Sequence, residues 1–539
     1  MEPYVHGAAE AFEQRVRKNQ AFLADHLSPS YDMIVCGSGP GGSVVARRLA
    51  AAGARVLLLE AGGDDDAATI TEPSLWGRRL GTERDWGFVA QPSAAVNGRG
   101  MPLGMGRVLG GGSSINAMIW ARGHASDWDE FARLTGDPGW SYRAILDVYR
   151  DIENWQGVPD ARRRGTGGLV HVEPVGDPSP LAHAFLDAAR EIGMPVFDDH
   201  NGEAMEGSEG AALVNLRVRD GRCLSMFRTY VHPVMDRANL VVLSQALVTR
   251  IVMDGDRAIG VEVFWNGRTL TIGATKEVIL ACGAIQTPKL LMQSGIGAED
   301  VLHAAGVRVR HALPGVGRNF QDHIRIGCVW ESPDPVPRRN NGAEATCFHR
   351  SSPFLAAPDL QTVLVESPVI TPETAHFGTP PYAWTLLPGL VRPQSRGYVA
   401  ITGHRPGDPV NIVTGALEAS KDVDALVEAV AQCHALGNSQ AMRPFVRREI
   451  MPGPLSGSAL RSYIRDSAST YWHQAGTARM GGDVMSVVDA NLRVHGVRGL
   501  RIADSSVMPR VTTGNTMAPC VVIGEKAARF ILAEHGYAA

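Results

Sequence analysis

Met33-Ile34-Val35 leads into Gly37-Ser38-Gly39-Pro40-Gly41-Gly42, and further on Arg55-Val56-Leu57-Leu58-Leu59 ends in Glu60. The two apolar runs predict short strands, and the stretch from Val44 to Ala52 between them predicts a helix. The first unit of a doubly wound α/β fold has this order: a strand, a glycine-rich turn, a helix, a second strand and an acid. The chain is therefore predicted to belong to the α/β class.

The glycine spacing in this unit matches the dinucleotide-binding pattern. Gly37 permits the turn, Gly39 lets backbone approach a pyrophosphate, and Gly42 lets the helix pack on the strand. The helix N-terminus offers free N–H groups and the positive end of its dipole to phosphates. Glu60 stands where a carboxylate binds ribose hydroxyls, and its charge would repel the extra phosphate of NADP. NAD and FAD both fit these residues, and a plain tight turn without a ligand is the alternative.

Two strings near the C-terminal end carry candidate catalytic residues. The first is Tyr471-Trp472-His473-Gln474-Ala475-Gly476-Thr477, and the second runs from Asp504 to Pro509 and on to Thr513-Gly514-Asn515-Thr516. A neutral imidazole accepts a proton near neutral pH. An amide beside it donates a hydrogen bond to a developing alkoxide without titrating. His473 and Asn515 therefore suit alcohol oxidation, provided that another group accepts the hydride.

Composition describes an ordinary globular protein. The chain has 539 residues, 44% of them apolar and 20% charged, with a net charge of −4. This length allows two domains or one large composite domain. The charge gives no reason to expect nucleic acid or an anionic membrane as a partner, and no apolar stretch reaches the length of a membrane span.

Seven scattered cysteines without a CxxC motif predict buried free thiols in a reducing compartment, and no metal site. The beginning of the chain shows no basic start, apolar run and small-residue cleavage site. A cytoplasmic location is therefore expected.

Beyond these motifs, the patterns predict a coarse order of elements. Residues 1–30 read as a helical arm docked on the body or on another subunit. Strands are expected within 240–282 and at 500–503, and a helix over 420–450. The Pro-rich stretch 330–410 is typical of a sheet with long covering loops.

Three further motifs carry a specific resemblance. Residues 106–116 read Gly-Arg-Val-Leu-Gly-Gly-Gly-Ser-Ser-Ile-Asn, residues 283–297 read Gly-Ala-Ile-Gln-Thr-Pro-Lys-Leu-Leu-Met-Gln-Ser-Gly-Ile-Gly, and 313–323 contain Leu-Pro-Gly-Val-Gly-Arg-Asn and Gln-Asp-His. With the N-terminal glycine motif and the C-terminal strings, the chain resembles the glucose–methanol–choline (GMC) flavoprotein oxidoreductases over roughly residues 31–535.

The resemblance implies a mixed α/β fold with two discontinuous domains. A Rossmann-like FAD-binding domain is expected from 31–150, 240–325 and 470–539. A substrate domain, built on an antiparallel sheet covered by helices, is expected from 151–239 and 326–469, with 1–30 as the arm.

The resemblance also assigns roles to residues. His473 is expected to accept the hydroxyl proton and Asn515 to stabilise the alkoxide, while the carbon-bound hydrogen leaves as hydride to flavin N5. Val248 is expected at the adenine, and Asp504 beside the ribityl chain or phosphates, where a helix cap is the alternative. Because Gly110–Asn116 contains no histidine, FAD is expected to be non-covalent. The residues predicted to contact FAD are Gly37, Ser38, Gly39, Gly42, Glu60, Ala61, Arg107, Gly110, Gly111, Ser113, Asn116, Ala117, Met118, Val248, Ala281, Asp504, Ser505, Asn515, Thr516 and Met517.

The expected reaction is oxidation of a primary alcohol to an aldehyde. Aromatic or heteroaromatic alcohols, sugars and polyols fit the motifs, and choline ranks lower because no signature of an aromatic and acidic cage stands out. A cyanohydrin-cleaving lyase that keeps FAD and a nicotinamide dehydrogenase are the alternatives. Oxygen or another acceptor would reoxidise the flavin, and a homo-oligomer is compatible with the sequence.

Overall fold

The computed structural model of the chain describes residues 2–207 and 209–538. Two large sheets organise it. The first sheet has seven strands, in the spatial order Leu240–Leu243, Val56–Leu59, Ser30–Cys36, Arg268–Leu280, Arg257–Trp265 and Leu247–Asp254, with Leu500–Ile502 also paired to Arg268–Leu280. The mixed α/β class is thereby confirmed.

The central part of the first sheet is parallel. Ser30–Cys36 pairs in parallel with Val56–Leu59 and with Arg268–Leu280, and Leu500–Ile502 pairs in parallel with the end of Arg268–Leu280. The central strands are buried along most of their length, as expected for a sheet covered on both faces. Their carboxyl ends therefore lie along one edge, which is where ligands bind in open α/β sheets.

The second sheet is antiparallel and has eight strands. Their spatial order is Arg448–Met451, Cys328–Glu331, Ala383–Leu390, Leu360–Val365, Ala345–His349 and Gly210–Leu213, with Ile324–Arg325 paired to both Ala383–Leu390 and Ser469–Thr470. The predicted helix over 420–450 is wrong beyond residue 437. The chain turns after Gly437, and Arg448–Met451 pairs as a strand with Cys328–Glu331.

Helices flank both sheets. The Pro40–Ala51 helix packs against the Met517–Glu534 helix beside the first sheet. The other long helices are Glu2–Asp25, Ala125–Thr135, Tyr142–Ile152, Pro180–Glu191, Gly283–Gln293, Ser420–Gly437 and Gly457–Ser467, and short ones span Ala68–Thr71, Gly112–Ile115 and Glu299–Ala304. Within the described ranges, no helix combines the length and the apolar character needed to cross a bilayer. All seven cysteines are free thiols, and all except Cys282 are buried.

The N-terminal helix Glu2–Asp25 docks on the edge of the first sheet. The side-chain amide of Gln20 donates to Leu240 O at 3.0 Å and accepts from Val242 N at 2.9 Å. The Gln20 amide thus occupies hydrogen-bonding positions that a further strand would take. Unpaired groups at a sheet edge are a template for association with other chains, and this amide reduces their number. The helix therefore covers the outer strand of the sheet.

Candidate active site

One cavity runs along the carboxyl edge of the first sheet and ends against the second sheet. Gly37, Glu60, Ala281 and Asp504 each follow a strand of the first sheet and line it. At the far end it is lined by His473 and by side chains of the second sheet. The cavity therefore joins the dinucleotide motif to the candidate catalytic pair.

The glycine motif is packed to different degrees at its three positions. A Cβ at Gly37, where φ is +99°, would lie 2.3 Å from Ala281 O, and a Cβ at Gly42 would lie 1.9 Å from Gly37 O. At Gly39 the nearest protein atom to a Cβ would be Ala281 O, at 4.0 Å. Gly37 and Gly42 are therefore required by the protein's own packing, whereas Gly39 leaves space on the cavity side.

Glu60 is buried and holds the glycine turn in place. Its Oε2 accepts hydrogen bonds from Ser38 N at 3.0 Å and Ser38 Oγ at 2.7 Å, and its Oε1 accepts from Gly62 N at 2.8 Å. Burial raises the pKa of this carboxyl, and the hydrogen bonds to Gly62 and Ser38 oppose that rise. Ser38 Oγ in turn accepts from Gly110 N at 3.1 Å, so the turn is bonded to the Gly106–Asn116 motif.

The Gly106–Asn116 motif presents backbone to the cavity and turns several side chains away from it. Gly111 and Asn116 line the cavity. Ser113 Oγ instead donates to Gly110 O at 2.6 Å and accepts from Met226 N at 2.9 Å. The Asn116 side-chain oxygen accepts from Met118 N at 3.0 Å. Ser113 thus holds the loop together from behind.

His473 and Asn515 meet at the end of the cavity. Asn515 lies just before the Met517–Glu534 helix, and its Nδ2 donates to His473 Nε2 at 3.3 Å. His473 is 8% exposed, and burial lowers its pKa to about 3. The Asn515 Oδ1 atom has no hydrogen-bond partner among the described residues. A neutral imidazole and an amide with unused capacity therefore face the cavity together.

A second histidine lies behind the first. The strands Ile324–Arg325 and Ser469–Thr470 pair antiparallel, and next to them Tyr471 N donates to His323 O at 2.9 Å. The His323 Nδ1 and His473 Nδ1 atoms are 2.9 Å apart. Burial lowers the pKa of His323 well below its ordinary value, and His473 lowers it further. Both rings are therefore neutral.

Two neutral imidazoles in contact through Nδ1 share one proton between those atoms. Because His473 Nε2 accepts from Asn515 Nδ2, the His473 proton is assigned to Nδ1, which donates to His323. This tautomer leaves the Nε2 lone pair of His473 toward the cavity. His323 therefore orients the imidazole that faces the cavity.

Asp322 fixes the backbone around His473. Its Oδ1 accepts from His473 N at 2.9 Å, and its other oxygen accepts from Thr470 Oγ1. Thr470 Oγ1 also accepts from Trp472 N at 2.6 Å, and Trp472 has a φ of +61°. A non-glycine residue with positive φ costs free energy and persists where its surroundings determine it. Burial raises the pKa of Asp322 to about 7.

Fifteen of the predicted site residues line the cavity and six do not. Among the six, Arg107 is exposed with its guanidinium 5.0 Å from the Trp86 ring, and Met118 is buried in a separate apolar cluster. The fifteen that line the cavity are Gly37, Gly39, Glu60, Ala61, Gly111, Asn116, Ala117, Val248, Ala281, His473, Asp504, Ser505, Asn515, Thr516 and Met517. The six that do not are Ser38, Gly42, Arg107, Gly110, Ser113 and Met118.

Asp504 satisfies both roles considered from the sequence. Its Oδ1 accepts from Ser506 N at 2.8 Å and so caps the short helix that begins there. Its Oδ2 accepts from Gly283 N at 2.9 Å and from Thr287 Oγ1 at 2.6 Å, and the residue also lines the cavity.

Sequence reasoning missed Asp322 and His323, although both belong to the quoted Gln-Asp-His string. It also missed the apolar wall formed by Trp76, Leu80, Ala343, Val363, Val365 and Leu387.

A Rossmann-like sheet joined at its carboxyl edge to an antiparallel sheet, with a His–Asn pair between them, defines a dinucleotide-dependent oxidoreductase. The chain belongs to the GMC oxidoreductase family. The family's N-terminal region matches residues 31–325 and its C-terminal region matches residues 393–524.

Known proteins resemble the chain over nearly its whole length. An oxygen-dependent choline dehydrogenase of Brucella anthropi is 34% identical over 531 residues, which cover 93% of this chain and 95% of the relative. The crystal structure of pyridoxine 4-oxidase from Mesorbium loti superposes with a TM-score of 0.89 at 32% identity, over 95% of this chain and 100% of its own. An FAD-dependent oxidoreductase from Chaetomium thermophilum has a TM-score of 0.83 at 26% identity, over 94% and 100%. The chain is accordingly a flavin-dependent oxidoreductase of this family.

The residues present fit FAD. The open space at Gly39 and the helix that begins after it without a side-chain cap suit a pyrophosphate. Glu60 and His473 both line this one cavity, and Asn515 Oδ1 has no hydrogen-bond partner among the described residues. A single extended cofactor would therefore contact both the glycine motif and the His–Asn pair.

Proposed function

We propose that this protein oxidises a primary alcohol to an aldehyde, with His473 as the general base and Asn515 as the hydrogen-bond donor to the developing alkoxide. The observation that supports the proposal is the approach of His473 Nε2 and Asn515 Nδ2 to 3.3 Å at the end of the cavity. A substrate hydroxyl that replaces this hydrogen bond would give its proton to Nε2 and accept from Nδ2. A positioned base typically contributes on the order of 10²–10⁴-fold in rate.

Burial lowers the pKa of His473 to about 3, so the imidazole is neutral over the physiological range and its Nε2 lone pair is not occupied by a proton. His323 keeps the accepting lone pair on Nε2, and Asp322 holds the His473 backbone. FAD, when bound, supplies the acceptor for the carbon-bound hydrogen and its electron pair, so that loss of that hydrogen and of the hydroxyl proton leaves the aldehyde.

The residues that would hold FAD are those of the cavity between Gly37 and Met517. Gly39 and the helix after it would bind the pyrophosphate, Glu60 the ribose, and Val248 the adenine. Non-covalent attachment is part of the proposal, since no histidine stands between Gly110 and Asn116. Oxygen or another acceptor would then reoxidise the flavin.

The proposal is tested by mixing the flavin-loaded protein with alcohols in the absence of oxygen. The visible spectrum reports flavin reduction directly. His473→Ala is expected to retain FAD and to reduce it about 10²–10⁴-fold more slowly. His26→Ala, at an exposed position just after the N-terminal helix, is the matched control and is expected to behave as the wild type. Near-normal reduction by His473→Ala would refute the assignment.

A choline-type oxidation is the second candidate, because a choline dehydrogenase is 34% identical to this chain. The same experiment separates the two when choline is one of the alcohols. The side chains that line the cavity around His473 bear on whether choline or an uncharged alcohol is the substrate.

A further inference from the structure

The second sheet lines the end of the cavity that would receive the substrate with apolar side chains. Val363 and Val365 project from one face of the Leu360–Val365 strand, and Leu387 lies opposite Val363 on the next strand. Ala343 and the ring of Tyr471 complete this cluster. The ring of Tyr471 also stacks on His473, with centroids 5.8 Å apart. The second sheet therefore presents hydrocarbon to whatever is bound beside His473.

Aromatic side chains close the other side of this space, and two of them have their polar atoms occupied. Trp76 and Trp472 lie edge to face at 6.4 Å. Trp76 Nε1 donates to Asn341 O at 2.9 Å, and the Tyr471 hydroxyl donates to Leu387 O. Trp76 and Tyr471 thus offer carbon surface rather than hydrogen-bonding groups. A sugar or polyol would leave most of its hydroxyls unpaired there, at a cost for each.

The carboxylates that line the cavity lie away from this end. Among the described residues they are Glu60 and Asp504, and both stand at the carboxyl ends of first-sheet strands, with hydrogen bonds to backbone N–H groups. The second sheet contributes no carboxylate to the lining. A quaternary ammonium group bound beside His473 would therefore have aromatic rings around it but no carboxylate on the second-sheet wall of the cavity.

One of those rings is already in contact with a cation. Arg325 is 7% exposed, and its guanidinium lies 5.2 Å from the ring centre of Trp472. Its Nε donates to Thr470 O at 3.1 Å, and in the described part of the chain the guanidinium makes no ion pair with a carboxylate. A buried cation without a counter-ion repels a second cation nearby far more than a solvated one does. Trp472 therefore separates the cavity from a positive charge.

We infer that the substrate is an uncharged alcohol with an apolar body, and that Arg325 behind Trp472 selects against cationic alcohols of the choline type. This inference rests on the proposed alcohol oxidation and names its substrate class. An apolar body buries its surface against Val363, Val365 and Leu387, while its hydroxyl reaches His473 and Asn515. A trimethylammonium group of the same shape loses its hydration, gains no counter-ion and faces Arg325.

Pairs of alcohols that differ only in charge test the inference. 3,3-Dimethylbutan-1-ol is the neutral isostere of choline, and 4-tert-butylbenzyl alcohol is that of 4-(trimethylammonio)benzyl alcohol. For any pair that reduces the flavin without oxygen, kcat/KM of the neutral member is expected to exceed that of the cation at least tenfold. Equal values, a preference for the cation, or reduction by glycerol or glucose in preference to all four alcohols would overturn it.

Variants of Arg325 locate the source of the selectivity. Arg325→Gln removes the charge and retains a donor for Thr470 O, and it is expected to reduce the neutral-to-cation ratio several-fold while kcat for the neutral alcohol changes little. Arg268→Gln, at the exposed beginning of the Arg268–Leu280 strand and outside the cavity lining, is the control. An unchanged ratio in a folded, flavin-loaded Arg325→Gln would contradict the part assigned to Arg325. If no alcohol of any class reduces the flavin, the proposed oxidation itself fails, which is a different outcome from a preference for choline.

Discussion

Two alanine substitutions in one motif should separate folding from cofactor binding. Gly42→Ala places a Cβ 1.9 Å from Gly37 O and 3.0 Å from the Ala281 side chain, so the helix must move away from the strand. Overpacking of this kind typically costs about 1–3 kcal/mol, and a clash with backbone lies at the upper end or beyond. Gly42→Ala should therefore lower the stability of the protein by about 3 kcal/mol or more, with or without FAD.

Gly39→Ala should behave in the opposite way. Its Cβ would come no closer than 4.0 Å to any described protein atom, and its φ of −61° and ψ of −174° are accessible to alanine. The free energy of unfolding without FAD should change by no more than about 1 kcal/mol, the combined effect of reduced chain entropy and a poorer helix cap. The new methyl group would occupy the space proposed for the pyrophosphate.

The loss of FAD affinity follows from the same overpacking range. A penalty of about 1–3 kcal/mol in the complex alone corresponds to a roughly 5–150-fold weaker Kd. The assay is thermal unfolding of the flavin-free proteins, followed by titration with FAD monitored through quenching of its fluorescence. Wild-type affinity in Gly39→Ala, or destabilisation as large as that of Gly42→Ala, would refute the placement of the pyrophosphate.

Four further outcomes follow from the site. Because burial holds the pKa of His473 at about 3, alcohol oxidation should stay constant as pH falls from 8 to 5, and a decline centred between pH 6 and 7 that persists in Asp322→Asn would contradict a neutral buried base. The pKa of Asp322 is raised from 3.8 to about 7, so the protonated carboxyl stabilises the fold fully below about pH 4, and this contribution is lost as pH rises to 7. The loss in free energy of unfolding over that range is at most about 4 kcal/mol. Asp322→Asn should remove this loss, which would be seen as a flatter dependence of Tm on pH. His323→Asn, whose amide oxygen stands near the former Nδ1, should keep more of kcat than His323→Leu with KM similar in both, and equal kcat values would exclude the tautomer argument. Precipitation of the protein with acid should release the yellow chromophore into solution, and its retention in the pellet would show covalent attachment.

Elements whose turn, helix and strand residues lie close together in the chain were predictable from sequence, because the pattern that specifies them falls within one short stretch. The Gly37–Glu60 unit contains its own turn, helix and acid, and the structure places them as the spacing predicts. The helix over 420–450 failed at its end because pairing with Cys328–Glu331, far away in the chain, decides the conformation of 448–451. The division into two discontinuous domains remains a prediction.

The same distinction applies to the site. His473 and Asn515 stand in recognisable strings, but the contact between His323 and His473 depends on the register of Ile324–Arg325 against Ser469–Thr470. Ser113 and Met118 stand in a recognisable motif as well, yet their side chains point away from the cavity, a direction that spacing does not fix. The apolar wall combines a turn near Trp76 with strands beyond residue 360, and no sequence window contains both.

The late arrival of the Leu500–Ile502 strand has a consequence for biosynthesis. It pairs with Val278–Leu280, and about 220 residues separate the two partners in the chain. At a synthesis rate of roughly 5–20 residues per second, Leu280 leaves the ribosome about 10–40 s before Ile502 does. During that interval the nascent first sheet lacks the Leu500–Ile502 strand and its cavity lacks Asp504, so we expect cofactor loading to follow the synthesis of this strand.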